Sequence, residues 1–196
     1  VSRPLLILRP QPGAAATAAR IAERGGNAIV APLFSVVPLA WSPPDAAEVD
    51  AVLLTSAAAL RHGGAALAGL THLPAFAVGA ATAAAAREAG FIDVVTGARD
   101  AAAVVAPAAA AGFRRLLHLA GREHIGVVHP GVTILRRIVY AADAETRLPD
   151  AAVGALAQGA VALFHSPRAG ALFRALLAPA GLEPGTIRIA AVSAAG

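Results

Sequence analysis

Four places in the chain put hydroxyl or small residues where an apolar run gives way to an Ala-rich one: Thr55-Ser56, Gly79 to Thr82, Ser166 and Ser193. A helix start leaves backbone N–H groups without intrahelical acceptors. Together with the helix dipole and a nearby hydroxyl, such groups bind carboxylates or phosphates without any charged side chain. The same Ser and Thr residues also work as plain N-caps, which is the commoner use at any single junction. Four junctions in two matching segments favour a shared anion-binding cleft.

Other residues join them at the same edge. Arg9-Pro10 closes the first apolar run, so Arg9 is either a cation for an acidic ligand or a solvated strand-end charge, and spacing alone does not choose. Tyr140 is the only tyrosine. Its phenol could donate a proton or a hydrogen bond into a cleft, or simply pack at a core or edge. Gly121-Arg122-Glu123-His124 follows a strand in a turn-like setting, where Arg122 and Glu123 either contact ligand or start a solvated helix.

Several chemistries are excluded by composition. All sixteen basic residues are Arg, so neither Schiff-base chemistry nor a P-loop lysine is available. No cysteine is present, which removes disulfides, thiolate nucleophiles and zinc-thiolate sites. His118, His124 and His129 lack the helix-face spacing beside a carboxylate that zinc hydrolases use, so no metal site is expected. His165-Ser166 has no G-x-S-x-G elbow, and adjacent strand residues point to opposite faces. No G-x-G-x-x-G fingerprint follows a strand. A net charge of +4 without a basic cluster suits a small anion better than a nucleic acid.

The elements that must position these residues read as α/β. Short Val/Ile/Leu runs alternate with Ala-rich stretches, the pattern of parallel strands joined by crossover helices. Strands are predicted at Leu5–Arg9, Ala28–Val30, Ala51–Thr55, Ala75–Val78, Asp93–Thr96, Leu116–Ala120, Val161–His165 and Ile187–Val192. Helices are predicted at about 14–24, 57–69, 80–89, 100–111, 149–158 and 167–179. Two further extended segments, Ser35–Ala40 and Ile134–Ala142, run into no immediate crossover helix and read as linker strands. The uncharged stretch Gly25 to Pro44 is broken by four prolines, and no transmembrane segment is expected. Val1-Ser2-Arg3-Pro4 leads straight into a strand without a secretory pattern, and a cytoplasmic location is the default.

The two halves resemble each other. Val52-Leu53-Leu54-Thr55-Ser56 parallels Val161-Ala162-Leu163-Phe164-His165-Ser166, and Phe76-Ala77-Val78-Gly79 parallels Ile189-Ala190-Ala191-Val192-Ser193. The first pair is a buried strand ending in Ser where a helix begins and the second a strand running into a small-residue turn, as in duplicated α/β units. The first unit continues beyond its turn, whereas the second stops at Gly196, so the C-terminus is expected to be incomplete.

The ordered series Leu6-Ile7-Leu8-Arg9-Pro10, Leu54-Thr55-Ser56, Ala77-Val78-Gly79-Ala80-Ala81-Thr82-Ala83, Gly121-Arg122-Glu123, Val139-Tyr140 and Phe164-His165-Ser166-Pro167 resembles uroporphyrinogen-III synthase across essentially the whole chain. Two departures stand out: Leu8 occupies a position where bacterial members usually carry Thr, and Ser193-Ala194-Ala195 replaces a hydroxyl-rich turn.

The resemblance implies two similar doubly wound parallel-sheet domains joined by a two-stranded linker. Residues 1–35 with 143–196 would form a discontinuous domain, 41–133 an inserted one, and 36–40 with 134–142 the linkers, with substrate bound between the domains. It implies a cofactor-free lyase that dehydrates and cyclises hydroxymethylbilane with inversion of its last ring. Tyr140 would assist the leaving hydroxyl. Arg9, Thr55, Ser56, Gly79, Thr82 and Ser166 would hold substrate carboxylates. The protein would act as a monomer in the cytoplasm and take its substrate from hydroxymethylbilane synthase by transient hand-over.

Two other classes fit part of the pattern. A non-catalytic two-lobed binding protein would use the same junctions to close on an anionic small molecule. A receiver-like signalling domain would need acidic residues at strand ends, and Asp50 precedes its strand instead.

Overall fold

Runs such as Ala51–Leu54 and Leu116–Leu119 carry apolar or buried residues at every position, which only a sheet covered on both faces can accommodate. The computed structural model of the chain describes residues 3–97 and 100–191 and builds such sheets. Val192 and Ser193, which end the predicted last strand and form the fourth junction, lie outside the described residues. The chain divides into two compact units, Val1–Val36 with Asp143–Gly196, and Val37–Ala142.

In the first unit, β1 (Leu5–Ile7), α1 (Gly13–Ala22), β2 (Ala28–Val30), α5 (Asp150–Ala157), β9 (Val161–Phe164), α6 (Pro167–Leu177) and β10 (Arg188–Ala191) form a four-stranded sheet in the order β10-β9-β1-β2. β1 pairs in parallel with β2 and β9, and β9 with β10, with Leu5 opposite both Ala28 and Val161. Leu6, Ile7, Leu8, Ala162 and Phe173 are buried, and Phe164 meets Phe173 edge to face at 5.2 Å.

The second unit holds β4 (Ala51–Leu54), α2 (Ala57–His62), β5 (Ala75–Val78), α3 (Ala80–Glu88), β6 (Val94–Gly97), α4 (Ala102–Ala110) and β7 (Arg115–Gly121). Two strands, β3 (Phe34–Pro38) and β8 (Thr133–Ala144), cross the boundary between units. The sheet order is β3-β8-β7-β4-β5-β6. Alternation along β4 feeds two cores. Val52 and Leu54 pack with Leu60, Ala83, Ala86, Leu117 and Leu119, while Ala51 and Leu53 pack with Phe76, Val104, Val105 and Leu116. All four β4 residues are fully buried, so Leu54→Ala would cost roughly 2–5 kcal/mol.

Two expectations change in detail. The segment 134–142 is more than a connection, because β8 pairs in parallel with β7 from Thr133 opposite Arg115 to Tyr140 opposite Gly121. The helix expected over 57–69 stops at His62 and continues as a 3-10 turn, Gly64–Leu70. Gly64 adopts φ +65°, a conformation that favours glycine, and the freed Gly63 carbonyl accepts the Trp41 indole N–H at 2.8 Å.

Asp50 sits at the opposite end of β4 from the candidate junctions and ties β4 to β7. Its carboxylate accepts the backbone N–H groups of Arg114 (3.0 Å) and Arg115 (2.9 Å) and the Arg115 guanidinium at 2.5 Å. The Arg115 side chain first, then the Arg114 N–H, hold the carboxyl below its usual range. Among the described residues, no helix is long and apolar enough to cross a membrane.

Candidate functional site

In the second unit the strand order reverses between β4 and β7: the chain runs outward from β4 through β5 to β6, then returns to β7 on the other side of β4. Loops leaving the carboxyl ends of two such strands diverge and open a crevice, the usual ligand site of doubly wound sheets. A cavity of about 330 Å³ lies there, lined by Thr55 and Ser56 after β4, by Gly121 at the end of β7 and Glu123, His124 and Ile125 beyond it, and by Tyr140 of β8. Val78, Asp100 and Ala101 complete it.

Three of the residues expected from sequence therefore meet in one place: Thr55, Ser56 and Tyr140. Ser56 N-caps α2, its hydroxyl oxygen accepting the Ala58 N–H at 3.2 Å, which leaves its O–H available to donate. Tyr140 reaches the cavity because of an irregularity in β8. Ala120 pairs with Ile138 but the next residue, Gly121, pairs with Tyr140, so Val139 is the extra residue of a bulge. The Tyr140 ring then lies against Gly121, where a Cβ would meet Cζ, Cε2 and the phenolic oxygen at 2.6–2.8 Å. Its carbonyl accepts the Arg122 N–H at 2.9 Å, and its ring centroid lies 6.3 Å from that of His62.

Gly79 and Thr82 belong to the neighbouring β5–α3 junction and do not line the cavity, although Val78 does. Gly79 takes φ +75° and ψ 157°, a region open essentially to glycine, and caps α3 without any side-chain bond. Thr82 is buried in the first turn of α3.

Arg9 and Ser166 belong to the first unit. There the sheet order reverses between β1 and β9, and these two residues follow the carboxyl ends of those strands. The Arg9 guanidinium lies over Gly13 at the start of α1, where a Cβ would come within 2.5 Å of Nε. Ser166 caps α6, its oxygen accepting the Ala169 N–H at 3.2 Å. Its φ and ψ of −156° and 149° match those of Ser56, −153° and 137°, so the two junctions share one local geometry. Burial, then the Arg9 and Arg20 charges, lower the His165 pKa.

His118 and His124 are functional candidates that motif reading passed over except as failed metal ligands. His118 is fully buried on β7, and its Nε2 lies 3.0 Å from Thr55 Oγ1. Desolvation, followed by the Arg136 and His124 charges, lowers its pKa to about 4. His124 sets its ring edge to face with His118 at 6.1 Å, and its Nδ1 lies 2.9 Å from the Gly121 carbonyl oxygen. One sequence signal was present: a lone histidine inside Leu116-Leu117-His118-Leu119 is a buried polar group that needs a partner.

The cavity thus combines hydroxyl donors with carboxylate acceptors. The Asp100 carboxylate accepts the Ala103 N–H at 2.9 Å at the start of α4 and still has lone pairs to offer. Such a lining can receive both acidic groups and N–H donors of one ligand.

Comparison with solved structures places the chain beside a mutant uroporphyrinogen III synthase from Thermus thermophilus, with 17% identity, 97% of this chain and 84% of that chain covered, and a TM-score of 0.55. A wild-type form of the Thermus thermophilus enzyme is 19% identical, over 98% of this chain and 85% of that one, with a TM-score of 0.43. The first of these likenesses is one of fold. Among curated proteins there is no match. The model of the family described as uroporphyrinogen-III synthase HemD matches residues 15–195, and the chain belongs to that family.

Proposed function

We propose that the protein is a uroporphyrinogen-III synthase, a cofactor-free hydro-lyase that closes hydroxymethylbilane to uroporphyrinogen III with inversion of the last ring. Beside family membership, the observation that carries this reading is the convergence of Tyr140, Thr55 and Ser56 on one cavity at the reversal of strand order.

In the reaction the hydroxymethyl C–O bond breaks as a proton reaches its oxygen, water leaves, and a cationic azafulvene remains. The azafulvene carbon bonds to the substituted α-carbon of the last ring to give a spirocyclic intermediate. The older C–C bond at that carbon breaks and re-forms at the ring's free α-carbon, and loss of one pyrrole proton there restores aromaticity, so the product is the substrate less one water. Tyr140 would donate its phenolic hydrogen bond to the departing hydroxyl. Asp100, at the cavity wall, would favour the developing cation and accept pyrrole N–H groups. Thr55 and Ser56 would take substrate carboxylates. Arg9 and the Ser166 cap would do so from the first unit, and Gly79 and Thr82 from the α3 start.

Holding both ends of a flexible tetrapyrrole in place supplies most of the rate, because orientation replaces an improbable chain closure. The discontinuous domain of 1–35 with 143–196, the inserted domain of 41–133, monomeric action in the cytoplasm and hand-over from hydroxymethylbilane synthase belong to the same reading. The test supplies freshly generated hydroxymethylbilane to the purified protein and separates the oxidised isomers. Isomer III above the spontaneous isomer I background is expected. Isomer I alone from folded protein would favour a non-catalytic binding protein for an anionic small molecule.

A further inference from the structure

A buried histidine whose one partner is a cavity hydroxyl constrains what that hydroxyl can do. His118 is fully buried on β7, and Nε2 lies 3.0 Å from Thr55 Oγ1. Its other nitrogen, Nδ1, is buried with no hydrogen-bond partner. Thr55 in turn lines the cavity beside Ser56 and Tyr140.

A neutral imidazole carries one proton, and two arrangements are open. With the proton on Nδ1, an N–H is left unmatched in the core while Thr55 spends its own hydrogen on Nε2. With the proton on Nε2, that N–H donates to Thr55, and only a lone pair is left unmatched. Orphaned buried N–H groups are the rarer and costlier of the two. In the second arrangement the Thr55 oxygen is an acceptor toward the core, and its hydrogen must turn elsewhere, into the cavity.

We propose that His118 is a positioning residue that donates from Nε2 to Thr55 and so holds the Thr55 hydroxyl as a one-way donor to a carboxylate oxygen of the ligand. The ligand's identity rests on the synthase reading; the direction of the His118–Thr55 bond does not. The lowered basicity of the ring agrees with it, since an imidazolium would place an unmatched Nδ1–H in the core.

The first experiment is nitrogen-15 NMR of the histidine rings in the wild-type protein at neutral pH. His118 should show a protonated Nε2 and a bare Nδ1, and the reverse pattern overturns the proposal. The second titrates uroporphyrin III, an octacarboxylate tetrapyrrole, into wild type, Thr55→Val, Thr55→Ser, His118→Leu and His118→Gln, and measures KM and kcat on hydroxymethylbilane.

Thr55→Val and His118→Leu should each weaken uroporphyrin III and raise KM about tenfold with kcat little changed, as for one lost hydrogen bond to a charged group. Thr55→Ser and His118→Gln, which keep a hydroxyl and an N–H donor, should recover most of the loss. If Thr55→Val binds like wild type, or wild type does not bind uroporphyrin III, the proposal falls. Wild type that binds the porphyrin through Thr55 yet makes no isomer III would sink the synthase reading and leave the positioning role standing. If His118→Leu does not fold, the NMR result and the Thr55 pair still decide.

Discussion

The ring of Tyr140 rests on Gly121 so closely that a Cβ at that glycine would lie 2.6 Å from Cζ. Two features on adjacent strands create the contact: the bulge at Val139, which brings Tyr140 opposite Gly121, and the missing side chain at 121, which leaves room for the ring there. The phenol is aimed by backbone geometry, and its aim can be tested apart from its chemistry.

Tyr140→Phe keeps the ring and removes the hydroxyl, so kcat should fall by about ten- to a hundredfold with Tm unchanged. Gly121→Ala keeps the hydroxyl and displaces the ring. It should lower kcat to a similar degree and also cost roughly 1–3 kcal/mol in urea unfolding. Full activity in Gly121→Ala would mean that ring placement is irrelevant to turnover.

The buried His118 makes stability depend on pH. Its folded pKa, lowered to about 4, lies below the ordinary 6.5, so between the two values the unfolded chain binds a proton that the folded chain does not. The contribution is fully present above pH 6.5 and is lost as pH falls toward 4, by roughly 3 kcal/mol over the window. His165, lowered as well, acts in the same direction. Urea midpoints measured across this range should fall with acid in wild type and fall less in His118→Gln; equal slopes would contradict the assignment.

Asp50 gives an acid-side effect of its own. Its carboxyl is held below the usual 3.8 by Arg115 and the Arg114 N–H, so its stabilisation is present above that value and disappears as pH drops through the lower folded one. Asp50→Asn, which keeps the shape but loses the charge, should cost roughly 1 kcal/mol at pH 7, discounted for partial exposure. Chemical denaturation at neutral pH checks this, and turnover should be untouched because Asp50 lies at the far end of β4.

Ser56→Ala and Ser166→Ala each remove an N-cap and should each cost about 1 kcal/mol. If the two hydroxyls also contact substrate, KM will rise in each variant by more than the stability loss explains. A KM equal to wild type at both sites, in folded protein, would reduce them to caps.

The strand-to-helix junctions were legible in the sequence because a hydroxyl between an apolar strand and an Ala-rich helix has few uses, and Ser56 and Ser166 do share one geometry. The pairing of β8 along β7 was not legible. Its residues Ile134-Leu135-Arg136-Arg137 carry two arginines in place of the apolar run of a buried strand, and nothing local announces its partner. His118 was missed for a different reason: a hydrogen bond to Thr55 spans 63 residues and leaves no spacing motif. The end of α2 turned on Trp41, whose indole takes the Gly63 carbonyl across 22 residues. In each case the missing information was a contact distant in sequence.

One pairing in the first unit has a consequence for synthesis. Leu5 of β1 lies opposite Val161 of β9, so β1 must wait for a neighbour translated long afterwards. At ~5–20 residues per second, that delay is on the order of ten seconds or more, while Val37–Ala142 emerges as one uninterrupted stretch. Until β9 arrives, the edge of β1 that pairs with it has no partner strand, the kind of surface that chaperones hold and that other chains can join. Overexpression should therefore strain solubility through the unpaired edge of β1, and slower translation at low temperature should relieve it.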